Sequence, residues 1–404
     1  MTTSRSSPAI HSDAASDSST VLYGHEPFDT FQSRVLDFAL HKIWPDADPD
    51  EINVEWMAGG SYNRVIGISR QPVEQPDLHV QYIVRIPRFG YMKVDNQVAT
   101  LRLLRQRGRI PAPVVICFDQ TDDNELGSQY MVQNRVPGFA LASVYPRLVH
   151  EERCRVARDL GRVYYEMLAT YSDAPGALVL PINHTGKLEL LPWQRPAVPW
   201  TREYNDSPVP QDIYELLVDI FVARKNLDRR RWPEATARPR LMDQFCNMAS
   251  ELSEGGWLTN CYVSLAHLDL EPRNIIVDLT SITEPSIISA VVDWDSAVFA
   301  PQFMCCKPPV WLWTWLDEND DDGEDPDERL ANEEPPTPEG RQLKRLFEES
   351  AGPDYLRFAY APSYRLARQL VRLAIEGIRS REALKEAREM LVEWSAIRDF
   401  ELLY

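Results

Sequence analysis

The spacing of apolar residues changes character once along this chain, and that change limits the fold more than any other feature. Between about Glu51 and Val136 the apolar residues fall in short β-like runs: INVEWMAG, RVIGIS, HVQYIVRIP, VVICFD and SQYMVQNRV. From Glu151 onward they recur at helical spacing. Val156, Leu160, Val163, Met167 and Tyr171 line one stripe, residues 212–224 repeat the pattern, and SYRLARQLVRLAIEGI and REALKEAREMLVEWSAI close the chain, with Ser380 placed to cap the last. One helix interrupts the front part. Asp95 caps it, Val98, Leu101 and either Leu104 or Leu103 share a face, and Gly108 ends it. Strand, turn, strand, strand, helix, strand, strand describes a small, mostly antiparallel sheet carrying one helix. The turn Gly59-Gly60-Ser61 joins its first two strands as a hairpin. A β-rich front followed by a helix-rich back predicts an α+β protein of two lobes, joined near residues 134–140. The expected divisions are a disordered tail over 1–25, an N-lobe over 26–136 and a helical C-lobe over 137–404.

The chain has 404 residues, 44% of them hydrophobic, enough apolar material for a large core. Its formal charge of −18 repels nucleic-acid phosphates and anionic lipid surfaces, so neither nucleic acid nor membrane is expected as a partner, while a cationic ligand is compatible. The opening residues are rich in Ser, Ala and Asp without an apolar run, which reads as a tail and not a signal peptide. No stretch approaches the ~20 apolar residues of a membrane helix. Six scattered cysteines without CxxC pairs read as reduced thiols, with redox activity of the adjacent Cys305 and Cys306 as the alternative, and a cytosolic or nuclear location is expected, cytoplasmic first. The sequons at Asn183 and Asn205 then read as chance matches. The run Asp317 to Glu334 is too charged to bury and is expected to be a disordered insert, with cation binding as the sharper alternative.

The chemistry concentrates in His267-Leu268-Asp269-Leu270-Glu271-Pro272-Arg273-Asn274, followed by the strand IIVD, a turn, and the strand IISAVVDWD. Asp269 and Asn274, five residues apart, can share one tight loop. A hairpin after it carries Asp293 back to the same sheet end. Asn274 and Asp293 would offer hard oxygen ligands to Mg²⁺, which takes few protein ligands and fills the rest with phosphate and water. Asp269 can then accept the proton of an attacking hydroxyl. The competing reading is a carboxylate turn beside an ordinary hairpin.

HxDxxxxN, two strands and Asp-Trp-Asp together resemble the catalytic segment of aminoglycoside phosphotransferase-like enzymes, relatives of protein kinases. The strand NELGSQY entering a Pro-Gly turn and the run Pro308-Pro309-Val310-Trp311-Leu312-Trp313 are similar to the fungal branch of that family. The resemblance covers roughly residues 50 to 400 and implies a bilobal protein-kinase-like fold, an ATP or GTP co-substrate with Mg²⁺, and transfer of the γ-phosphoryl group to a hydroxyl of a small acceptor. Carried over by position, Asp269 is the catalytic base and Asn274 and Asp293 are the metal ligands. Asp295 is an accessory to metal or cationic substrate, and His267 supports the loop. Leu268 stands where phosphorylation-regulated protein kinases place an Arg, so that form of control is not expected. The N-lobe strand lysine is replaced by Arg85, which can fork onto two phosphate oxygens; a surface strand residue is the competing reading, since its neighbours Val84 and Ile86 fit inward and outward placement equally. Its usual Glu partner is replaced by Gln97, and no Glu occurs between Glu74 and Glu125. Gly60 and Ser61, in a turn that matches GxGxxG poorly, would meet a phosphate through their backbone. Gln97 keeps a second reading open: a pseudokinase that binds nucleotide or acts as a scaffold. The Trp311–Trp315 cluster would shape the acceptor pocket or belong to the core. Neither the acceptor nor the choice of ATP over GTP follows from the residues.

Overall fold

The computed structural model describes residues 27–57, 62–71, 80–89, 93–181, 187–194, 209–234, 236–259, 261–280, 286–315 and 327–401. The expected tail, Gly60, Ser61, both sequons and the first part of the acidic run lie outside them. The chain divides into two compact units. The first comprises residues 1–106, 112–137 and 180–187, and the second 107–111, 138–179 and 188–404.

The first unit is built on five antiparallel strands, β1 (Ile52–Trp56), β2 (Asn63–Arg70), β3 (Val80–Pro87), β4 (Val115–Asp119) and β5 (Tyr130–Asn134), in the order β1-β2-β3-β5-β4. Successive strand residues face opposite sides, so Val84 and Ile86 share one face with Ile66, Ile68 and Val132. That face packs on helix α1 (Phe28–Phe38) through Phe31, Val35 and Phe38. The sequence-based expectation had no helix here. Its apolar stripe is short, and it runs on through a π turn, Ala39–Ile43, before Trp44 stacks on Tyr82 with centroids 5.5 Å apart. Helix α2 (Asp95–Arg107) forms where expected, with Asp95 Oδ1 accepting the Asn96 N–H at 2.9 Å and Gly108 leaving it at φ 64°, a left-handed conformation suited to glycine.

The second unit places two three-stranded sheets among helices. The first sheet runs β13-β10-β7, formed by β7 (Tyr171–Ser172), β10 (Val263–Ala266) and β13 (Val298–Pro301). The second runs β12-β11-β6, formed by β6 (Phe139–Ala140), β11 (Ile275–Val277) and β12 (Ile288–Val291). A further short hairpin pairs β8 (Ala177–Val179) with β9 (Glu189–Leu191). Around them lie α3 (Leu141–Val144), α4 (His150–Leu168), α5 (Ile213–Arg231), α6 (Ala237–Glu254), α7 (Trp311–Thr314), α8 (Pro338–Tyr360), α9 (Pro362–Glu376) and α10 (Arg381–Glu401). Helix α4 is the spine. Its Tyr164 meets Phe347 and Tyr355 of α8 at centroid distances of 5.7 and 4.9 Å. Its Asp159, 5% exposed, accepts the Ile287 N–H at 2.7 Å and the Ser286 hydroxyl at 3.0 Å, tying the helix to the entry of β12. Ser380 caps α10 as expected, accepting the Ala383 N–H at 3.0 Å.

The acidic run departs from the expected disorder where it is described. Residues 327–334 carry a 3₁₀ turn over Glu328–Asn332. Glu328 is held by Arg368 at 2.8 Å, and the same buried guanidinium donates to the carbonyls of Phe303, Phe358 and Ala359. A fork with several fixed acceptors orders a segment that charge density alone would leave solvated. Cys305 and Cys306 are buried and their thiols are pushed up by burial, which suits core packing and not redox chemistry. Among the described residues, no helix is long and apolar enough to cross a membrane.

Candidate active site

Strand β10 delivers the chain into the loop His267–Asn274. His267 is buried, at 2% exposure, under the Trp294 ring, whose centroid lies 4.5 Å away. Its Nδ1 accepts the Asp269 N–H at 3.3 Å, so the proton sits on Nε2, which donates to the Val292 carbonyl at 2.9 Å. Burial pushes its pKa down, reinforcing the neutral ring that this pattern needs. One imidazole therefore ties the backbone of Asp269 to the backbone beside Asp293.

The loop then turns on Pro272. The Asn274 N–H donates to the Glu271 carbonyl at 2.9 Å and closes the 3₁₀ turn Pro272–Asn274. The turn aims Asn274 back at Asp269. Its Nδ2 donates to the Asp269 carbonyl at 2.7 Å and to Asp269 Oδ2 at 2.9 Å. On the other carboxylate oxygen, Oδ1, Arg273 Nη2 donates at 2.5 Å. Glu271 is anchored by Lys307 Nζ at 2.8 Å, and the Lys307 carbonyl accepts from the Tyr355 hydroxyl at 2.9 Å.

The hairpin closes the constellation. β11 and β12 pair antiparallel, Ile275 opposite Val291, and the Val292 N–H donates to the Asn274 carbonyl at 2.9 Å. Asp293 follows at once in a left-handed conformation, φ 68°, which caps the 3₁₀ turn Trp294–Ser296 containing Asp295. The Trp294 indole, fully buried, donates to the Val291 carbonyl at 2.8 Å and anchors that turn. Asp269, Asn274 and Asp293 are thus brought to one end of one hairpin by backbone hydrogen bonds together with those of the His267 and Asn274 side chains. Asp295 lies within that turn.

Of the first-unit residues, Arg85 sits on central strand β3 between Val65 of β2 and Met131 of β5, on the face opposite Val84 and Ile86. It is 7% exposed, which decides between the inward and outward placements left open by the sequence. Gln97 is buried on α2 with Thr100, Leu101 and Leu104, one stripe at helical spacing.

The sequence-based reading missed two basic residues, Arg273 and Lys307. Arg273 was legible as the i+4 neighbour of Asp269, whereas Lys307, 36 residues from Glu271, carries no local signal. The tryptophan cluster is divided. Trp311 and Trp313 are buried, Trp311 against Tyr145 and Trp313 against Phe347, while Trp313 and Trp315 line a cleft of about 360 Å³ together with Arg153, Leu312 and Glu339.

The loop and hairpin belong to an α+β chain whose N-terminal part is antiparallel sheet and whose C-terminal part is mainly helical. The model of the phosphotransferase enzyme family matches residues 72–304, more than half of the chain, and the chain belongs to that family. No curated protein matches it. Among solved structures it is similar to the GDP complex of wild-type aminoglycoside 2'-phosphotransferase-IIIa (15% identity, 90% of this chain and 98% of that one, TM-score 0.47). It is also similar to a thermostable mutant of aminoglycoside phosphotransferase APH(4)-Ia with AMP-PNP and hygromycin B (15%, 91% and 98%, TM-score 0.48). A third is the streptomycin–ATP–APH(2")-IIa ternary complex (12%, 89% and 96%, TM-score 0.49).

Proposed function

We propose that this phosphotransferase is a nucleotide-dependent kinase of a small hydroxylated molecule, with ATP or GTP as phosphoryl donor and Mg²⁺ as the metal. The observation that carries it is the double hold of Asn274 on Asp269. With its amide nitrogen committed to the aspartate, Asn274 turns Oδ1 the other way, as a metal-ligating amide must. Asp269 is the base that takes the acceptor hydroxyl's proton. Asn274 Oδ1 and the Asp293 carboxylate would hold Mg²⁺. The donor set fits the ion, being oxygen only and few in number. Among the described residues no group of three or more His, Cys, Asp or Glu forms a metal cage, which such a two-ligand site does not require. When bound, the ion neutralises charge on the phosphates. Asp295 is an accessory on the same turn.

Arg85 is proposed as a contact to the nucleotide phosphates, with Gln97 offering an amide where the family's usual partner is a carboxylate. Gly60 and Ser61 are proposed as backbone contacts to phosphate from sequence position alone. The cleft walled by Trp313, Trp315 and Glu339 suits an acceptor with an apolar body and an amine, and free, unpaired thiols suit a cytoplasmic site of action. The pseudokinase reading is favoured by one observation, the uncharged and buried Gln97 on the α2 stripe.

Phosphoryl transfer measured with Mg·ATP and Mg·GTP across a panel of hydroxylated amines and sugars, beside nucleotide binding by melting shift, separates the readings. For an active kinase, Asp269→Asn keeps nucleotide binding and loses about 10²–10⁴-fold in transfer. Nucleotide binding without transfer to any acceptor by the wild type supports the pseudokinase instead.

A further inference from the structure

The loop that presents Asp269 carries an arginine that the family roles leave without a task. Arg273 Nη2 lies 2.5 Å from Asp269 Oδ1, while Asn274 Nδ2 takes Oδ2 at 2.9 Å. Both oxygens of the base are therefore engaged by consecutive residues of one turn. The two engagements differ in kind. Asn274 is 6% exposed and also bonds the Asp269 carbonyl, so it stays. The Arg273 side chain is 61% exposed, and Asp269 is 39% exposed. An exposed pair of this kind contributes little to stability, so a bound molecule can displace it. The turn that sets Arg273 is rigid where it needs to be. Pro272 starts it, and Lys307 pins the neighbouring Glu271 at 2.8 Å.

We propose that Arg273 is a positioning residue that caps the outward oxygen of Asp269 and reserves the base for the acceptor hydroxyl over water. The proposal rests on the kinase reading above. In the transfer step the acceptor oxygen forms a bond to the γ-phosphorus and its proton passes to Asp269. The bond from that phosphorus to the β–γ bridging oxygen breaks, and the nucleoside diphosphate leaves with the electron pair. Water can make the same attack, giving inorganic phosphate. An acceptor held by many contacts displaces the guanidinium and takes Oδ1. A single water, with nothing else to hold it, competes poorly against a charge-assisted hydrogen bond.

The test uses the full chain without any acceptor. Phosphate release from Mg·ATP or Mg·GTP is measured for wild type, Arg273→Ala, Arg273→Lys, Asp269→Asn and the double variant Arg273→Ala/Asp269→Asn, with nucleotide Kd recorded for each. Arg273→Ala is expected to raise basal phosphate release about two- to fivefold at unchanged nucleotide Kd, a factor equal to about 0.4–1 kcal/mol. Arg273→Lys, which keeps a charge but not the planar fork, returns most of the way to wild type. The double variant loses the gain, which shows that the excess runs through Asp269. Basal release by Arg273→Ala at or below the wild-type rate, with nucleotide still bound, overturns the cap and leaves the kinase reading intact. A wild type that binds neither Mg·nucleotide sinks the kinase reading and the cap with it.

Discussion

Leu268 and Asp293 are the two non-glycine residues with positive φ among those described, at 62° and 68°. Each costs of order 1–2 kcal/mol, and they sit beside the base and at the second proposed metal ligand. The strain persists because His267 bonds across both segments, and this makes the site pH-sensitive. The folded state holds the His267 pKa below its ordinary value near 6.5, so between the two values the unfolded chain binds the proton and the folded chain does not. Its contribution is fully present above about pH 6.5 and declines as the pH falls below it. The drop in urea midpoint between pH 7.5 and 5.5 is therefore expected to be smaller in His267→Gln than in wild type. Equal drops would mean that the imidazole is not held neutral.

At the scale of elements, the packing of α4 on α8 turns on one glycine. A Cβ at Gly161 would lie 2.6 Å from the Phe347 carbonyl oxygen and 2.7 Å from Ser350 Cβ. In an open helix Gly→Ala gains about 1 kcal/mol. Here the clash is with backbone, which cannot swing aside, and overpacking of this kind costs about 1–3 kcal/mol. Gly161→Ala is expected to lose stability in urea titration by about 1–2 kcal/mol, and a gain would show that the helices stand further apart. The sequence disclosed α4 through its clean stripe, but not its partner. Helix α8 is broken by Gly352 at φ 82° and by Pro353, which together hide its periodicity. Helix α6 was legible, since Leu241, Phe245, Met248 and Leu252 keep helical spacing, yet no helix was expected there. The turn at Glu328–Asn332 was not legible, because Arg368, 40 residues away, supplies its order.

For the whole molecule, the change from strand-like to helix-like periodicity carried the architecture, and one local motif carried the site. The placement of Asp269, Asn274 and Asp293 at one hairpin end could be read in advance because loop and hairpin are consecutive in sequence, so a short stretch already fixes which backbone positions come together. What could not be foreseen is how they are locked: the tautomer of His267, the Glu271–Lys307 anchor and the inward placement of Arg85 all depend on packing between distant segments. Titration calorimetry of a non-hydrolysable ATP or GTP analogue, with and without Mg²⁺, on wild type and Asp293→Ala tests the central assignment most directly. Loss of a metal ligand is expected to weaken the magnesium-dependent part of binding by at least about tenfold while the metal-free affinity stays the same. An unchanged magnesium dependence in Asp293→Ala would contradict it.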